Sequence, residues 1–138
     1  MTRAANEAAK KPPNSNDAEA PASARRASLD MIDAAHLARM TFGDRNLEAE
    51  VLRLFDRQCA MLVEGIRAAS ADSAALFAHT LRGSCRAVGA WQVAQLAEQV
   101  ESAARACDGP GLDIALKRLA DAVAQMRSAV AHLLDAQS

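Results

Sequence analysis

The C-terminal end of the chain carries the pattern that most limits its fold. Leu112, Leu116, Leu119, Val123, Met126, Val130 and Leu133 recur at spacings of four, three, four, three, four and three. At about 100° of rotation per residue this spacing keeps every large apolar side chain on one side of a helix, whereas a strand would scatter them over both faces. A helix with one apolar seam is not stable alone and needs partners with seams of their own.

Upstream segments supply such seams. Over residues 45 to 68, Leu52, Phe55, Cys59, Leu62 and Ile66 repeat at three and four, and Leu47, Val51, Leu54 and Met61 form a flanking stripe that widens the apolar face. Phe77, Leu81 and Val88 fall within roughly 40° of one another on a further helix. Val93, Leu96, Val100 and Ala103 form the stripe of the next, which opens at Ala90.

The boundaries come from capping and breaking residues. Asp33 caps a short helix through His36, Leu37 and Met40, which Thr41-Phe42-Gly43 ends, and Asp44 caps the long one after it. The third starts after Ser70 or Asp72 and ends at Val88-Gly89; Asp108-Gly109-Pro110-Gly111 breaks the chain before the last. With short breaks and no strand signal, the expected fold is all-α: an antiparallel up-down four-helix bundle with a short additional N-terminal helix at one end. The apolar stripes look fully used inside one bundle, which predicts a monomer.

Residues 1 to 28 read differently. Lys10, Lys11, Pro12, Pro13, Asn14, Ser15, Asn16 and Pro21 stand among alanines with almost no large apolar residue, so this stretch reads as a disordered tail and residues 29 to 138 as the domain.

Composition narrows the function classes. A chain of 138 residues is too short for a nucleotide-binding kinase domain beside the bundle. Its net charge of −1 argues against bulk binding to nucleic acid, and no apolar run reaches the 18 or so residues of a membrane span. Without a secretory signal the expected location is the cytoplasm. Cys59, Cys85 and Cys107 form no CxxC pair, so neither a disulfide nor a zinc site is expected. His36 and His132 have no partner at helical spacing that would make a metal site, and Glu98 and Glu101 share no face with other carboxylates that suggests acid–base catalysis. Trp91 reads as a cap over the preceding turn.

His79 stands apart. It lies about half a turn from the Phe77, Leu81 and Val88 stripe, so the pattern turns it outward, with Ala75, Arg82, Gly83 and Arg86 within roughly 60°. Glycine inside a helix costs roughly 1 kcal/mol relative to alanine. Gly83 therefore serves either the close approach of another molecule or the tight packing of a second helix. An exposed neutral imidazole is a nucleophile that can hold a phosphoryl group, and Arg82 and Arg86 can neutralise part of its charge.

The run His79-Thr80-Leu81-Arg82-Gly83-Ser84 through Gly89-Ala90 resembles the motif of histidine phosphotransfer (HPt) domains. Such domains have an apolar residue at +2 from the histidine, a basic one at +3, glycine at +4, a small one at +5 and glycine at +10. Leu37-Ala38-Arg39-Met40, Gly43-Asp44 and Glu101-Ser102-Ala103-Ala104-Arg105 extend the resemblance over roughly residues 30 to 135. It implies a phosphorelay carrier that takes a phosphoryl group on His79 from a receiver-domain aspartate and passes it to another, without ATP-dependent catalysis. A hybrid histidine kinase is an implied partner, and Mg²⁺ is implied on the receiver, with no cofactor on the carrier. Arg82, where lysine is commoner, is implied to hold phosphoryl oxygens, and Gly83 to give the partner room. Gln58, inside an apolar arc, is a candidate hydrogen-bond partner of the histidine, while Leu76 and Ala75 are candidate docking contacts. The alternative is a module of the same fold that binds a receiver or kinase without carrying phosphate.

Overall fold

The computed structural model describes residues 31 to 137, so the reading of residues 1 to 28 lies outside the described residues. Among the described residues five helices are assigned: α1 (Ala34–Met40), α2 (Arg45–Ala68), α3 (Ala71–Val88), α4 (Trp91–Arg105) and α5 (Gly109–Gln137). No strand occurs among the described residues.

The helix ends are chemically explained. The Asp33 carboxylate accepts from the His36 backbone N–H at 3.0 Å, and that of Asp44 from Asn46 and Leu47 at 2.9 and 3.1 Å. Each such cap satisfies backbone donors that the first turn leaves without a helical partner. Gly89 ends α3 at a φ of 88°, a left-handed conformation that glycine adopts without strain. A Cβ there would stand 2.9 Å from the Asp33 Cβ, so the glycine also lets the start of α1 sit on this turn, where the Asp33 N–H donates to the Gly89 carbonyl at 2.9 Å. The expected break at Asp108-Gly109-Pro110-Gly111 is instead the entrance of α5. Asp108 accepts from the Gly111 N–H at 3.0 Å, and Pro110 sits in the first turn, where a missing donor goes unnoticed.

Packing sets the register between helices. Gly65 meets the Phe77 ring and Cys59 meets Cys85, so contacts advance along α2 as they retreat along α3. His79 reaches Glu101 and Arg82 reaches Glu98, which gives α3 and α4 the same relation. Ala74, Ala75, Ala78, Ala94, Ala97 and Ala104 are all buried. Such small side chains let helix axes approach closely, and α3 and α4 make the most extensive contact of the bundle. Across the molecule, Arg127 of α5 forks onto Asp56 of α2 at 2.8 and 3.2 Å. The C-terminal seam faces inward as its spacing requires: Leu119, Val123, Met126 and Val130 are buried, and Leu112, Leu116 and Leu133 pack partly buried against the core.

Three expectations about the apolar faces change. Phe77 is 37% exposed at the edge of α3, because the buried face is centred on Ala74, Ala78, Leu81 and Cys85 and the ring lies over Gly65. The flanking stripe of α2 divides: Val51 packs against the core, while Leu54 and Met61 turn outward at 60% and 70% exposure. Internal packing therefore does not use every stripe, and the argument for a monomer on that ground fails. On α4 the buried row is Val93, Ala97, Val100 and Ala104, while Leu96 and Ala103 are only half-buried.

Candidate functional site

His79 projects from the middle of α3 with its side chain 56% exposed. Its Nδ1 lies 3.2 Å from Oε2 and 3.4 Å from Oε1 of Glu101 on α4. Arg82 follows one turn after the histidine, and its Nη2 lies 3.1 Å from the same Nδ1. The carboxylate and the guanidinium cannot both be satisfied by one ring nitrogen. A carboxylate only accepts and a guanidinium only donates, so Nδ1 either carries a proton for Glu101 or a lone pair for Arg82. Glu101 prevails on physical grounds. A lone pair on Nδ1 would face two carboxylate oxygens, whereas Arg82 has other acceptors at 3.7 Å on Glu101 and 3.8 Å on Glu98. With Nδ1–H donating to Glu101, Nε2 keeps its lone pair.

Glu101 and Thr41 are the buried polar residues of the core, and Glu101 is the charged one. Burial pushes its carboxyl group up, but the hydrogen bonds from Arg105, the Arg82 charge and the His79 contact together hold it below the usual carboxylate value. It therefore remains an anion beside the imidazole. Arg105, one turn later on α4, donates from Nε at 3.1 Å and from Nη2 at 2.8 Å, both to Oε2.

Sequence periodicity passed over Glu101 because the α4 stripe was centred on Leu96 and Ala103. The overlooked signal was rotational. Glu101 falls within about 60° of Ala94, Ala97 and Ala104, so a carboxylate stood on the small-residue face that α3 covers.

The other candidates divide. Gly83 is exposed, and a Cβ built on it would meet nothing within 4 Å. No second helix packs on it, which removes the packing explanation and leaves open space one turn beyond the histidine. Arg82 reaches the imidazole, and with Arg86, Trp91, Ala94, Gln95 and Glu98 it lines a recess of about 100 Å³. Leu76 is 63% exposed one turn before His79.

Ala75 is 3% exposed and cannot contact a partner; it lies about 40° from His79 toward the buried face, close enough in rotation for α4 to cover it. Gln58 is half-buried at the level of Cys85, six residues and about 9 Å along the helix from His79. The hydrogen-bond partners of the imidazole are Glu101 and Arg82. The Cys59 thiol is pushed up by its hydrogen bond to Cys85 and by burial, so it stays protonated and poorly nucleophilic.

A second cluster lies at the α3–α4 turn. The Trp91 indole N–H donates to the Asp33 carboxylate at 3.0 Å, and its ring meets that of His36 edge-on at 4.9 Å. His36 is half-buried, and its Nε2 donates to the Ala87 carbonyl at 3.1 Å. This histidine is thus a clasp holding α1 on the turn. Trp91, expected as a cap over the preceding turn, reaches Asp33, 58 residues away, a link that its own helix does not encode.

A family model for the Hpt domain matches residues 50–129, more than half of the chain, and spans His79, Arg82, Gly83 and Glu101. No curated protein and no solved structure matches the chain. The helical architecture, the exposed imidazole and the family match thus converge, and the chain belongs to the Hpt domain family.

Proposed function

We propose that this protein is a phosphorelay carrier that receives a phosphoryl group on Nε2 of His79 from the aspartyl phosphate of a response-regulator receiver domain. It then passes that group to a second receiver. The observation that carries this reading is the pairing of His79 with a buried anionic Glu101, which occupies Nδ1 and leaves Nε2 as the free, solvent-facing nucleophile. In the transfer the Nε2 lone pair forms the N–P bond as the P–O bond to the aspartate breaks, returning the donor carboxylate. The ring gains positive charge, which the Nδ1–H···Glu101 contact stabilises. Arg82 is placed to turn from the imidazole toward the phosphoryl oxygens, with Arg86 beside it on the recess.

The same reading assigns the rest of the chemistry to partners. Mg²⁺ resides on the receiver, a hybrid histidine kinase is the upstream source, and the carrier acts in the cytoplasm. Gly83 is the clearance through which the donor's phosphoryl group approaches, and exposed Leu76 is an apolar contact for the docked receiver. The registers of α2 with α3 and of α3 with α4 support an up-down four-helix bundle with α1 as the extra helix.

Incubation with a phosphorylated receiver tests this. Acid-labile, alkali-stable phosphate should appear on the wild type and be absent from His79→Gln of unchanged helicity. Label that survives the substitution sinks the assignment, and stable receiver binding without any transfer favours the binding-module alternative.

A further inference from the structure

We propose that Arg105 is a positioning residue for His79, acting through Glu101; the inference rests on the phosphotransfer reading of that histidine. Arg105 does not touch the imidazole. It sends two hydrogen bonds, at 3.1 and 2.8 Å, to the single oxygen Oε2 of Glu101, and this oxygen is also the one nearest Nδ1, at 3.2 Å. An exposed ion pair one turn apart on a helix normally contributes little. This one differs because its acid is buried and already engaged with a third group: the Glu101 side chain is 11% exposed and that of Arg105 58%.

The charges around the imidazole explain why the fork matters. Arg82 and Arg86 stand on its own helix, and Glu98, Glu101 and Arg105 on the facing one. Arg82 competes at both ends of the contact, with Nη2 at 3.1 Å from Nδ1 and Nη1 at 3.7 Å from Oε1. Arg105 draws the carboxylate from the far side and fixes which oxygen faces the ring. Without it, Glu101 is free to rotate toward Arg82, and Nδ1 loses the acceptor that holds its proton. The imidazole then moves to the Nε2–H tautomer, in which the outward nitrogen has no lone pair for phosphorus.

The test reads the tautomer directly. Long-range ¹H–¹⁵N NMR of the histidine rings in the full chain, at about pH 8.5 where an ordinary imidazole is uncharged, is compared for the wild type, Arg105→Ala and Arg105→Lys. Circular dichroism checks that helicity is retained, and His79→Gln assigns the signal. In the wild type His79 is mainly Nδ1–H; in Arg105→Ala it shifts to mainly Nε2–H; Arg105→Lys, which keeps the charge but not the fork, lies between. His36 is the internal control, since Ala87 holds its Nε2–H form in all three proteins. Labelling by phosphoramidate slows in proportion to the lost Nδ1–H population. An unchanged His79 pattern in Arg105→Ala overturns the proposal even where the wild type is phosphorylated. A tautomer shift in a protein whose wild type takes up no phosphoryl group leaves the coupling standing and sinks the function it serves.

Discussion

His36 and His79 use opposite nitrogens. At the α3–α4 turn, His36 donates from Nε2 to the Ala87 carbonyl and packs against Trp91. On the open face of α3, His79 is held at Nδ1 by Glu101, and its side chain is more than half exposed. The difference shows that exposure alone does not make a histidine a nucleophile. What matters is which ring nitrogen the protein has already committed, and to a donor or an acceptor.

The strongest way to break this comparison is to exchange the roles. His79→Gln should lose all phosphate labelling, whereas His36→Gln should keep it and be less stable instead. Labelling lost equally in both would mean that the clasp and not the free Nε2 controls reactivity. Next in size is Glu101→Gln. Its amide can still accept from Nδ1 but carries no charge to stabilise the developing imidazolium. Uptake from phosphoramidate should fall on the order of tenfold to a hundredfold, as when a partner fixing a functional imidazole is lost. A rate within twofold of the wild type, with retained helicity, would reduce Glu101 to a packing residue.

A smaller effect tests the clasp. The indole N–H of Trp91, and then the His36 backbone N–H, hold the Asp33 carboxyl below its usual value. A folded value below the unfolded one means that its stabilisation is fully present above about pH 4 and is lost as the pH falls through the depressed folded value. Trp91 is the sole tryptophan, so its emission should shift in that window. Trp91→Phe, which removes the donor, should lower the denaturant midpoint of unfolding. Emission that ignores acid would remove Asp33 from the clasp.

The smallest effect is expected at Gly83. An added methyl group meets nothing, so Gly83→Ala should stabilise α3 by up to about 1 kcal/mol. It should nonetheless slow transfer from a receiver while leaving phosphoramidate labelling intact, because only the protein donor needs the clearance. Equal rates with both donors would make Gly83 a neutral position.

Much of this frame was legible before any coordinate. Asp33 and Asp44 marked helix starts and Gly89 an end, since capping depends on atoms within one turn of chain. His79 was read as exposed and Gly83 as its neighbour because both follow from rotation along a single helix. Legibility failed where small rotational errors decided the outcome. Ala75 lies about 40° from His79, and that angle placed it in the buried face rather than on the docking face. Leu54 and Met61 are apolar enough for a core, yet they stand about half a turn from Leu52 and Cys59, so α2 faces them out. Gln58 lay on a plausible face but at the wrong height, a register that no pattern within α2 encodes.

The chain by itself determined the helices, their ends, the inward seam of α5 and the outward histidine, because each depends on side chains three or four residues apart. Only the tertiary structure decided that Glu101, 22 residues beyond His79, takes its Nδ1, and that Trp91 reaches Asp33 across 58 residues. Those contacts arise from the alanine-lined approach of α3 and α4 and from the turn at Gly89, where helix rotation and register are settled jointly by the whole core. Local periodicity could expose an imidazole, but only packing could choose which of its nitrogens stays free.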